Sequence, residues 1–541
     1  MSKRFLWKPK FCLPPGPKGW PVIGNLFDMP KEMTWQTFAQ WGKTYGDISS
    51  VTVFGQSIII INSVEVAHKL LNEKGRIYSD RPVLPMGGEL IGWKNAIPLL
   101  RYGDKFQLHR KRFHQLFGTP AATKTLHETE NIGVRNFLRN VCNSPGDLTA
   151  YIKQHVGTFA LDIVYGYEAK EEDDPFIHFI DRGMEQFSVA TAPGAFLVDV
   201  FPLLRYLPSW LPGGGFHSQA RVWGRDLNDM VTKPYEYMMP RVATGTEHHS
   251  FLSTFSEPGI DSASVSDDLK WNASTIAAGK FSTGISMIKA FFLFMSLYPE
   301  VQIQACAEID AVVGTDRFPT HDDRVNLPYI DAICQEVLRL HTVVPNGLPH
   351  VVMEDDIHEG YLIPKGSIVV ANIWNMLHGP DTYADPYTFN PSRFISSEGH
   401  VAERDIYDTV FGFGRRICPG RVLADESLFI LVAMSLAVLQ ISKSVNKDGN
   451  VIEPAFIQLS GSVSQPAPFQ CSIKARSPAA LALLQRSQAD EMLACRFEIF
   501  AMIMLYIGYD YPGAAKLNDP SQPIAAHHRL HRLRDQQLGR N

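Results

Sequence analysis

A glycine-rich loop with one cysteine, placed directly before an apolar helix, constrains this chain more than any other feature. The loop covers residues 411–420 and reads FGFGRRICPG, and an apolar helical pattern follows over residues 421–439. Backbone N–H groups at a helix N-terminus favour negative charge, so Cys418 stands where its thiolate form is expected to be stabilised. The glycines let the backbone turn tightly and leave room for a flat group. The loop therefore predicts a site where a thiolate binds a flat cofactor.

Two neighbours of Cys418 narrow the kind of cofactor. Arg416 supplies a positive charge suited to a carboxylate, and Phe411 can cover the sulfur and keep water away. A thiolate, a dry surrounding and a carboxylate-binding arginine suit a haem iron with an axial cysteine ligand. A single cysteine is most often a small buried hydrophobe, but the ten-residue pattern favours the iron ligand here.

With this loop the chain resembles the cytochrome P450 family of haem-thiolate proteins. The family pattern FxxGxRxCxG is carried in full by Phe411, Gly414, Arg416, Cys418 and Gly420. The resemblance covers roughly residues 14–477. Within the family, the sequence of this chain is similar in style to fungal members of the O-methylsterigmatocystin oxidoreductase type. It implies a mainly α fold with small β-sheets, in which a triangular, predominantly helical single domain surrounds a buried haem b with Cys418 as the metal ligand.

Two motifs of the family's structural core stand in the family's order. Glu336 and Arg339 form an ExxR motif, whose spacing puts both side chains on one face of a helix. Taken alone, a surface ion pair would be the simpler interpretation. Arg393 lies in a segment that resembles the family's PxRF. The resemblance implies that these three residues form a buried structural triad, which braces the haem loop and takes no part in catalysis.

A third motif concerns the haem propionates. Residues 106–110 stand where the family often has WxxxR, with Phe106 in place of tryptophan. An indole N–H donor is therefore lost, while Arg110 can still reach a propionate. By resemblance, His350 matches a position that often contacts the other propionate, and a histidine satisfied within a turn is the competing interpretation.

The long helix contains the family's oxygen-binding pattern in an altered form. Ala278 and Gly279 match the pattern, and their small size leaves room for dioxygen beside the iron. Phe281 stands at the usual acidic position and Ser282 at the usual threonine position, with Thr283 next. The resemblance gives Ala278, Gly279, Ser282 and Thr283 catalytic roles, but a phenylalanine cannot relay a proton.

Three explanations of this departure stay open. In the first, the chain is a monooxygenase that inserts one oxygen atom of O2 into an apolar organic substrate of fungal secondary or xenobiotic metabolism. Water, Ser282 or the substrate then relays protons, and Phe281→Asp with Ser282→Thr should raise coupled product. In the second, the chain is an isomerase, dehydratase or peroxygenase that needs no such relay. In the third, it binds haem without catalysis. Lys280 is the only charge nearby in the motif.

Composition sets broader limits. The 541 residues carry 51 basic and 56 acidic side chains, which gives no support to nucleic-acid binding. The hydrophobic share of 45% excludes intrinsic disorder. The 7 cysteines form no CxxC pair, which argues against a disulfide framework and a zinc site. Without an internal repeat or a long linker, one large domain is favoured over the three or four that length alone suggests.

Three segments are expected along the chain: a basic, Pro-rich segment without an anchor helix over residues 1–30, the haem-thiolate domain over 31–477, and an extension over 478–541 that is partly disordered or a gene-model artefact. Hydrophobic periodicity predicts the secondary structure. Helices are predicted at 34–45, 64–71, most of 104–240, 268–297, 299–313, 329–341 and 421–439, and strands at 48–61, 361–371 and 451–473.

No transmembrane helix is predicted, because no run of about 20 apolar residues is present. Residues 497–509 are too short and contain Glu498. Eukaryotic members of the family carry an anchor helix before the Pro-rich segment, whereas 13 residues precede Pro14 here. The resemblance implies the cytosolic face of the endoplasmic reticulum membrane, and the expected lack of an anchor leaves a peripheral membrane contact or a cytosolic location open.

Substrate and partners are expected from the same resemblance. The stretches that should face a small organic substrate suggest an apolar pocket. They are 84–100, 187–196, 273–282, 343–348 and 459–463. Electrons should come from NADPH through a separate FAD/FMN reductase, because no GxGxxG follows a strand. Lys111, Arg415 and Arg421 are candidates for docking that reductase, and a monomer is expected.

Overall fold

The computed structural model describes residues 12–192, 194–245, 249–256 and 263–486. The chain divides into two compact units, residues 1–481 and 482–541, and only 482–486 of the second unit are described. The expectations for the basic N-terminus, for residues 497–509 and for most of the C-terminal extension concern positions outside the described residues.

Helices make up most of the described chain. They are α1 (Thr34–Tyr45), α2 (Val64–Ala67), α3 (Asp104–Phe117), α4 (Pro120–Thr123), α5 (His127–Asn143), α6 (Leu148–Tyr165), α7 (Pro175–Ala190), α8 (Leu197–Val200), α9 (Phe216–Thr244), α10 (Phe251–Phe255), α11 (Ala263–Leu297), α12 (Pro299–Val312), α13 (Pro328–Leu340), α14 (Ile373–Leu377), α15 (Arg421–Val438) and α16 (Pro478–Gln485). Shorter 3-10 helices lie at Trp93–Asn95, Lys124–Leu126, Pro145–Asp147, Pro202–Tyr206, His321–Asn326, Pro391–Phe394 and Gly414–Arg416, and π-helical turns at His68–Glu73 and Pro85–Ile91.

The strands form three small sheets. They are β1 (Ile48–Val53), β2 (Gln56–Ile61), β3 (His350–Val351), β4 (Asp356–His358), β5 (Tyr361–Ile363), β6 (Ile368–Ala371), β7 (Leu439–Lys443) and β8 (Cys471–Ala475). The largest sheet has the order β1-β2-β6-β3, with β2 parallel to β6 and the other pairs antiparallel. The strands β4 and β5, and β7 and β8, form antiparallel pairs. The prediction of a mainly α fold with small β-sheets is confirmed.

The N-terminal sheet packs against α1 through alternating apolar side chains. Ile60 and Val51 on neighbouring strands meet Phe38 of α1 and Val370 of β6 in one buried cluster. A two-residue turn at residues 54–55 joins the two strands, and this turn sets the antiparallel register from Ile48 to Ile61. The predicted helix over 34–45 and the two predicted strands within 48–61 are confirmed.

Helix α11 runs through the interior, as the apolar positions on all sides of the helix predict. Five consecutive residues, 291–295, are 0% exposed. By length and composition, Ser266–Leu297 is the one described helix that could span a membrane, but 78% of its most apolar window is buried within the protein. That burial is typical of the core helix of a globular domain.

The prediction of short strands over residues 451–473 is wrong for most of that stretch. Only β8, which begins at Cys471, is a regular strand there, and isolated bridges pair Val451 with Val445 and Gln458 with Pro466. The stretch contains three prolines, at 454, 466 and 468, and each removes a backbone donor that a strand ladder would need.

Candidate functional site

The loop that contains Cys418 closes tightly in front of α15. Gly414 has a φ of 58°, and a Cβ atom there would collide with the carbonyl oxygen of Leu71, so glycine is required. The N–H of Cys418 donates to the carbonyl oxygen of Phe411 at 2.8 Å. Phe411 is half-buried, and Gly420 occupies the N-cap of α15. The loop thus presents the sulfur at the start of an apolar helix.

The surroundings of Cys418 act on the pKa of its thiol in two opposite directions. Burial raises the pKa of its thiol, and the N–H of Gly420 with the charges of Arg110 and Arg421 opposes that rise only in part. Desolvation is thus the largest influence on the pKa of the free thiol, and the N–H at the start of α15 supplies part of the field that opposes it. A coordinated metal ion would hold such a thiol in its deprotonated form.

A group of buried cations lies beside this loop, and Arg416 is its first member. Its Nε atom donates to the carbonyl oxygen of Ser79 at 2.7 Å, and its guanidinium lies 3.7 Å from the centroid of the Phe106 ring. Its Nη1 atom is buried without a partner. Burial lowers the pKa of Arg416 to about 10. One nitrogen of this guanidinium therefore remains free for a further acceptor.

Arg81 is the second of these buried cations, and His350 lies beside it. Arg81 is 5% exposed and donates to the carbonyl oxygen of Pro349 at 2.8 Å. The Nδ1 atom of His350 lies 2.6 Å from the carbonyl oxygen of Tyr78. Burial lowers the pKa of both side chains well below the ordinary values, and a neighbouring guanidinium lowers each one further. His350 therefore stands neutral beside a buried arginine.

Within the described part of the chain, no carboxylate forms an ion pair with Arg81 or Arg416. Asp80, the acid whose charge reaches Arg81 and Arg416, is bonded to Nε of Arg101 at 2.8 Å. Burial lowers the pKa of Arg110 as well, and its guanidinium donates to the backbone of the cysteine loop. Arg81 and Arg416 are buried and Arg110 is half-buried. Because charges removed from water are costly without a counter-charge, the three guanidinium groups call for an anionic ligand. One sulfur and a surplus of buried arginines fit haem b, which carries iron and two propionate carboxylates.

Glu336, Arg339 and Arg393 meet in the core, where each is at most 2% exposed. Nε of Arg339 donates to Glu336 at 2.7 Å, and Nε of Arg393 donates to the same carboxylate at 3.1 Å. Glu403, which the sequence analysis missed, accepts from Nη1 of Arg393 at 2.7 Å. The fourth member balances two cations with two carboxylates, so α13 is tied to the segment before the cysteine loop.

Gly279 is exposed and Thr283 is half-buried on one face of α11, whereas most of their neighbours in the helix are buried. A Cβ atom at Gly279 would meet nothing within 4 Å, and Oγ1 of Thr283 donates to the Gly279 carbonyl oxygen at 2.7 Å. Ala278, Phe281 and Ser282 are 2%, 1% and 5% exposed. An aspartate at position 281 would bury a carboxylate, so Phe281→Asp is now expected to destabilise the fold rather than to restore a proton relay.

Lys280 has a defined orientation in this helix. Its ammonium donates to the hydroxyl of Ser427 on α15 at 2.5 Å and lies 5.1 Å from the ring centroid of Phe159. The charge of Lys280 helps to lower the pKa of buried Glu130, after the larger effects of burial, which raises it, and of His321. The one charge of the motif is therefore committed to a structural contact between helices.

A family model for cytochrome P450 matches residues 14–471. The chain belongs to the cytochrome P450 family. Three curated fungal relatives also support this family assignment. Cytochrome P450 monooxygenase 208 of Postia placenta is 50% identical over 473 residues, which is 87% of this chain and 92% of the relative. Cytochrome P450 monooxygenase claR of Ampulloclitocybe clavipes is 43% identical over 483 residues, 89% of each chain. O-methylsterigmatocystin oxidoreductase of Aspergillus flavus is 37% identical over 483 residues, 88% and 90% of the two chains.

Membership settles the class of chemistry that the sequence analysis predicted. The chain is a haem-thiolate monooxygenase of fungal secondary metabolism, an oxidoreductase that acts with O2 and binds haem b. A redox partner and an organic substrate belong to this class of reaction. The resemblance to fungal relatives of the O-methylsterigmatocystin oxidoreductase type is confirmed.

In this cytochrome P450 four of the stretches expected to face substrate are brought together. The rings of Trp93 and Phe187 lie 4.8 Å apart, which joins 84–100 to 187–196. The hydroxyl of Thr191 donates to Ser462 at 2.9 Å, which joins 187–196 to 459–463. Ser464 then donates its N–H to the carbonyl oxygen of Val343 at 2.8 Å. These contacts bring segments distant in sequence to one region of the fold.

Arg81, like Glu403, is a candidate site residue that the sequence analysis missed. It follows Asp80 in a stretch without helical or strand periodicity, so no pattern marks it as buried. Its proximity to His350 arises because the N–H of Val351, at the end of β3, donates to the carbonyl oxygen of Asp80 at 2.9 Å. A contact between positions about 270 apart leaves no local signal, and only the folded chain shows it.

Proposed function

We propose that this cytochrome P450 inserts one oxygen atom of O2 into a small apolar organic substrate, with Thr283 as the hydroxyl that handles protons beside the reacting oxygen. The observation that carries the proposal is the surplus of buried arginines around the Cys418 loop. When bound, haem supplies an iron centre that activates O2 with two electrons from a partner.

The chain's own residues would bind and orient the cofactor and keep water out. Cys418 would ligate the iron, while Arg81, Arg110 and Arg416 would hold the propionate carboxylates by charge-assisted hydrogen bonds. The neutral His350 ring donates from Nδ1 to the carbonyl oxygen of Tyr78, so its Nε2 atom can only accept a hydrogen bond and the propionates would be held by the arginines. Together these groups offset the cofactor's negative charges in a site with little water.

Two observations support Thr283 over Ser282 for proton handling. Gly279 and Thr283 lie one helical turn apart on the open face of α11, whereas Ser282 is 5% exposed. The Thr283 hydroxyl already donates to a carbonyl oxygen, so its lone pairs remain free to accept a hydrogen bond from water. If the O–H turns away from the Gly279 carbonyl oxygen, the hydroxyl can pass its proton to an acceptor beside Gly279 while it takes a proton from the bound water, so no acid at position 281 is required.

Thr283→Ala should lower the product formed per NADPH consumed by about tenfold or more, because a positioned proton donor is lost. The measurement compares product with NADPH oxidation for purified holoenzyme, a fungal reductase and an apolar probe selected by its spin-state shift. Thr283→Ser keeps the hydroxyl and should retain most of the coupling. Ser282→Ala is the matched control and should stay near wild type. A collapse of coupling in Ser282→Ala with normal coupling in Thr283→Ala would assign the role to Ser282 instead.

The reductase is proposed to be an NADPH-dependent FAD/FMN protein that docks on the cysteine side of the molecule. Lys111, Arg415 and Arg421 are exposed, and two of them belong to or directly follow the cysteine loop. A basic surface of this kind attracts an acidic partner. Because exposed charges steer association, reduction of a Lys111→Glu/Arg421→Glu variant should slow at low salt and approach the wild-type rate at high salt. An equal slowing at every salt concentration would contradict this docking surface.

A peripheral membrane contact is proposed for the surface around α8 and the 3-10 helix that follows it. Leu203, Tyr206 and Trp210 are 82%, 70% and 79% exposed. The Phe201 ring lies 4.0 Å from that of Phe54 in the β1–β2 turn, so the apolar surface continues toward the N-terminal segment. Large exposed apolar patches mark membrane or protein contacts. Leu203→Ser with Trp210→Ser should reduce cosedimentation with vesicles of endoplasmic reticulum lipids, and unchanged cosedimentation would overturn the proposal.

A further inference from the structure

The cysteine loop is flanked by a second group of charged side chains, separate from the Glu336 triad. Arg324, at the 3-10 helix His321–Asn326, donates through Nη1 and Nη2 to both carboxylate oxygens of Asp425, at 2.7 and 2.9 Å. Its Nε atom donates to Asp331 at 2.9 Å. The hydroxyl of Tyr407 also donates to Asp425. One guanidinium thus joins α15 to α13.

The residues of this charged group flank the cysteine loop on both sides in the sequence. Tyr407 stands four residues before Phe411, where the cysteine loop begins, and Asp425 stands on α15 just after the loop ends. The Tyr407 and Phe411 rings are nearly parallel, with centroids 6.0 Å apart and an interplanar angle of 10°. Phe411 in turn accepts the N–H of Cys418. The contacts therefore run from the charged group to the residue that carries the sulfur.

The side chains of this group can fix the distance and the angle between the segments that they join. The side chains of Arg324, Asp331 and Asp425 are 25%, 29% and 22% exposed, so the ion pairs are partly shielded from water. A guanidinium that binds a carboxylate through two parallel hydrogen bonds fixes the angle as well as the distance between them. The Arg324 guanidinium also lies 5.0 Å from the centroid of the Phe429 ring, which restricts it further.

We propose that Arg324, Asp425 and Tyr407 form a second clamp that holds both ends of the cysteine loop and thereby sets the position of the Cys418 sulfur. They are positioning residues, since none of them is placed at the sulfur itself. The inference rests on Cys418 as the iron ligand. The Glu336 triad ties α13 to the segment before the loop, whereas this clamp ties the loop's own ends to α13.

The test follows the ferrous carbon monoxide complex of purified holoenzyme at a temperature below its unfolding transition, and records how fast the thiolate-type Soret band converts to the thiolate-free band. Asp425→Asn should convert about tenfold faster than wild type, because a charge-assisted pair is lost on one side of the loop. Tyr407→Phe, which removes one hydroxyl, should accelerate conversion less. The two changes combined should accelerate less than the product of the single effects, because both remove the same link.

Arg317→Met is the matched control. Arg317 pairs with Asp323 at 2.7 Å and lies close to Arg324 in sequence, but it has no contact with the loop in the described structure. It should keep the wild-type conversion rate even where its urea midpoint falls. Wild-type rates in both Asp425→Asn and Tyr407→Phe, or equal acceleration in Arg317→Met, would overturn the clamp. A wild-type holoenzyme without the thiolate-type band would instead contradict Cys418 as the ligand.

Discussion

Replacing Cys418 with serine should abolish the thiolate-type Soret band of the ferrous carbon monoxide complex. Cys418 is the sulfur of the loop in front of α15, beside Arg110 and the group of buried arginines. A serine hydroxyl is a harder and far less acidic ligand than a thiol, so it cannot supply the same iron bond. The thiolate-type band should therefore be lost completely in Cys418→Ser, and NADPH-driven product formation should be lost with it.

The control for Cys418→Ser is Cys142→Ser. Cys142 lies on α5 and is free and half-buried, as Cys418 is. Absorption spectra of both variants, together with bound haem per chain, separate loss of the ligand from loss of the fold. A persistent thiolate-type band in Cys418→Ser, or its disappearance in Cys142→Ser, would assign the iron to a different cysteine.

Glu336→Gln should cost about 3–5 kcal/mol of unfolding free energy, because it removes the carboxylate shared by two buried guanidinium groups, of which Arg393 keeps Glu403 as a partner. Glu336 is 0% exposed and accepts from both Arg339 and Arg393. Urea unfolding of the holoenzyme, followed by circular dichroism and by the Soret band, measures the effect. Both signals should move together, since the triad ties the core to the segment before the cysteine loop.

Lys69→Met provides the comparison for Glu336→Gln. Lys69 pairs with Glu359 at 3.2 Å on the surface, where the two side chains are 53% and 58% exposed. Water and salt screen such a pair, so its removal should leave the urea midpoint almost unchanged. Equal losses in the two variants would mean that burial of the triad contributes nothing special to stability.

Where the sequence has strong local periodicity, it predicts the fold closely. The helix over 34–45 and the strands within 48–61 were expected at the positions where they occur, because their apolar residues repeat with the period of one element. The prediction of strands over residues 451–473 was wrong because prolines lie among the apolar residues there, and a proline lacks the N–H that a strand ladder needs. Hydrophobic periodicity alone does not reveal that a backbone N–H donor is missing.

The site was predictable as far as its short motifs reach. The Cys418 loop carries its glycines and arginine within ten residues, so the haem site follows from the sequence. Arg81 and Glu403 reach their partners only through tertiary contacts, and no local pattern marks them. The spacing of Ser282 and Thr283 predicts two adjacent hydroxyls, but the rotation of α11 in the fold decides which one meets open space.

Labelled oxygen tests the central claim of oxygen insertion most directly. Purified holoenzyme, an NADPH-dependent reductase and an apolar probe that shifts the spin state are incubated under isotopically labelled O2, and the product is analysed by mass spectrometry. The account predicts one labelled oxygen atom in each product molecule, with turnover only when NADPH and reductase are present. Product that lacks the label, or turnover without NADPH, would contradict oxygen insertion and point to isomerisation, dehydration or peroxide-driven chemistry.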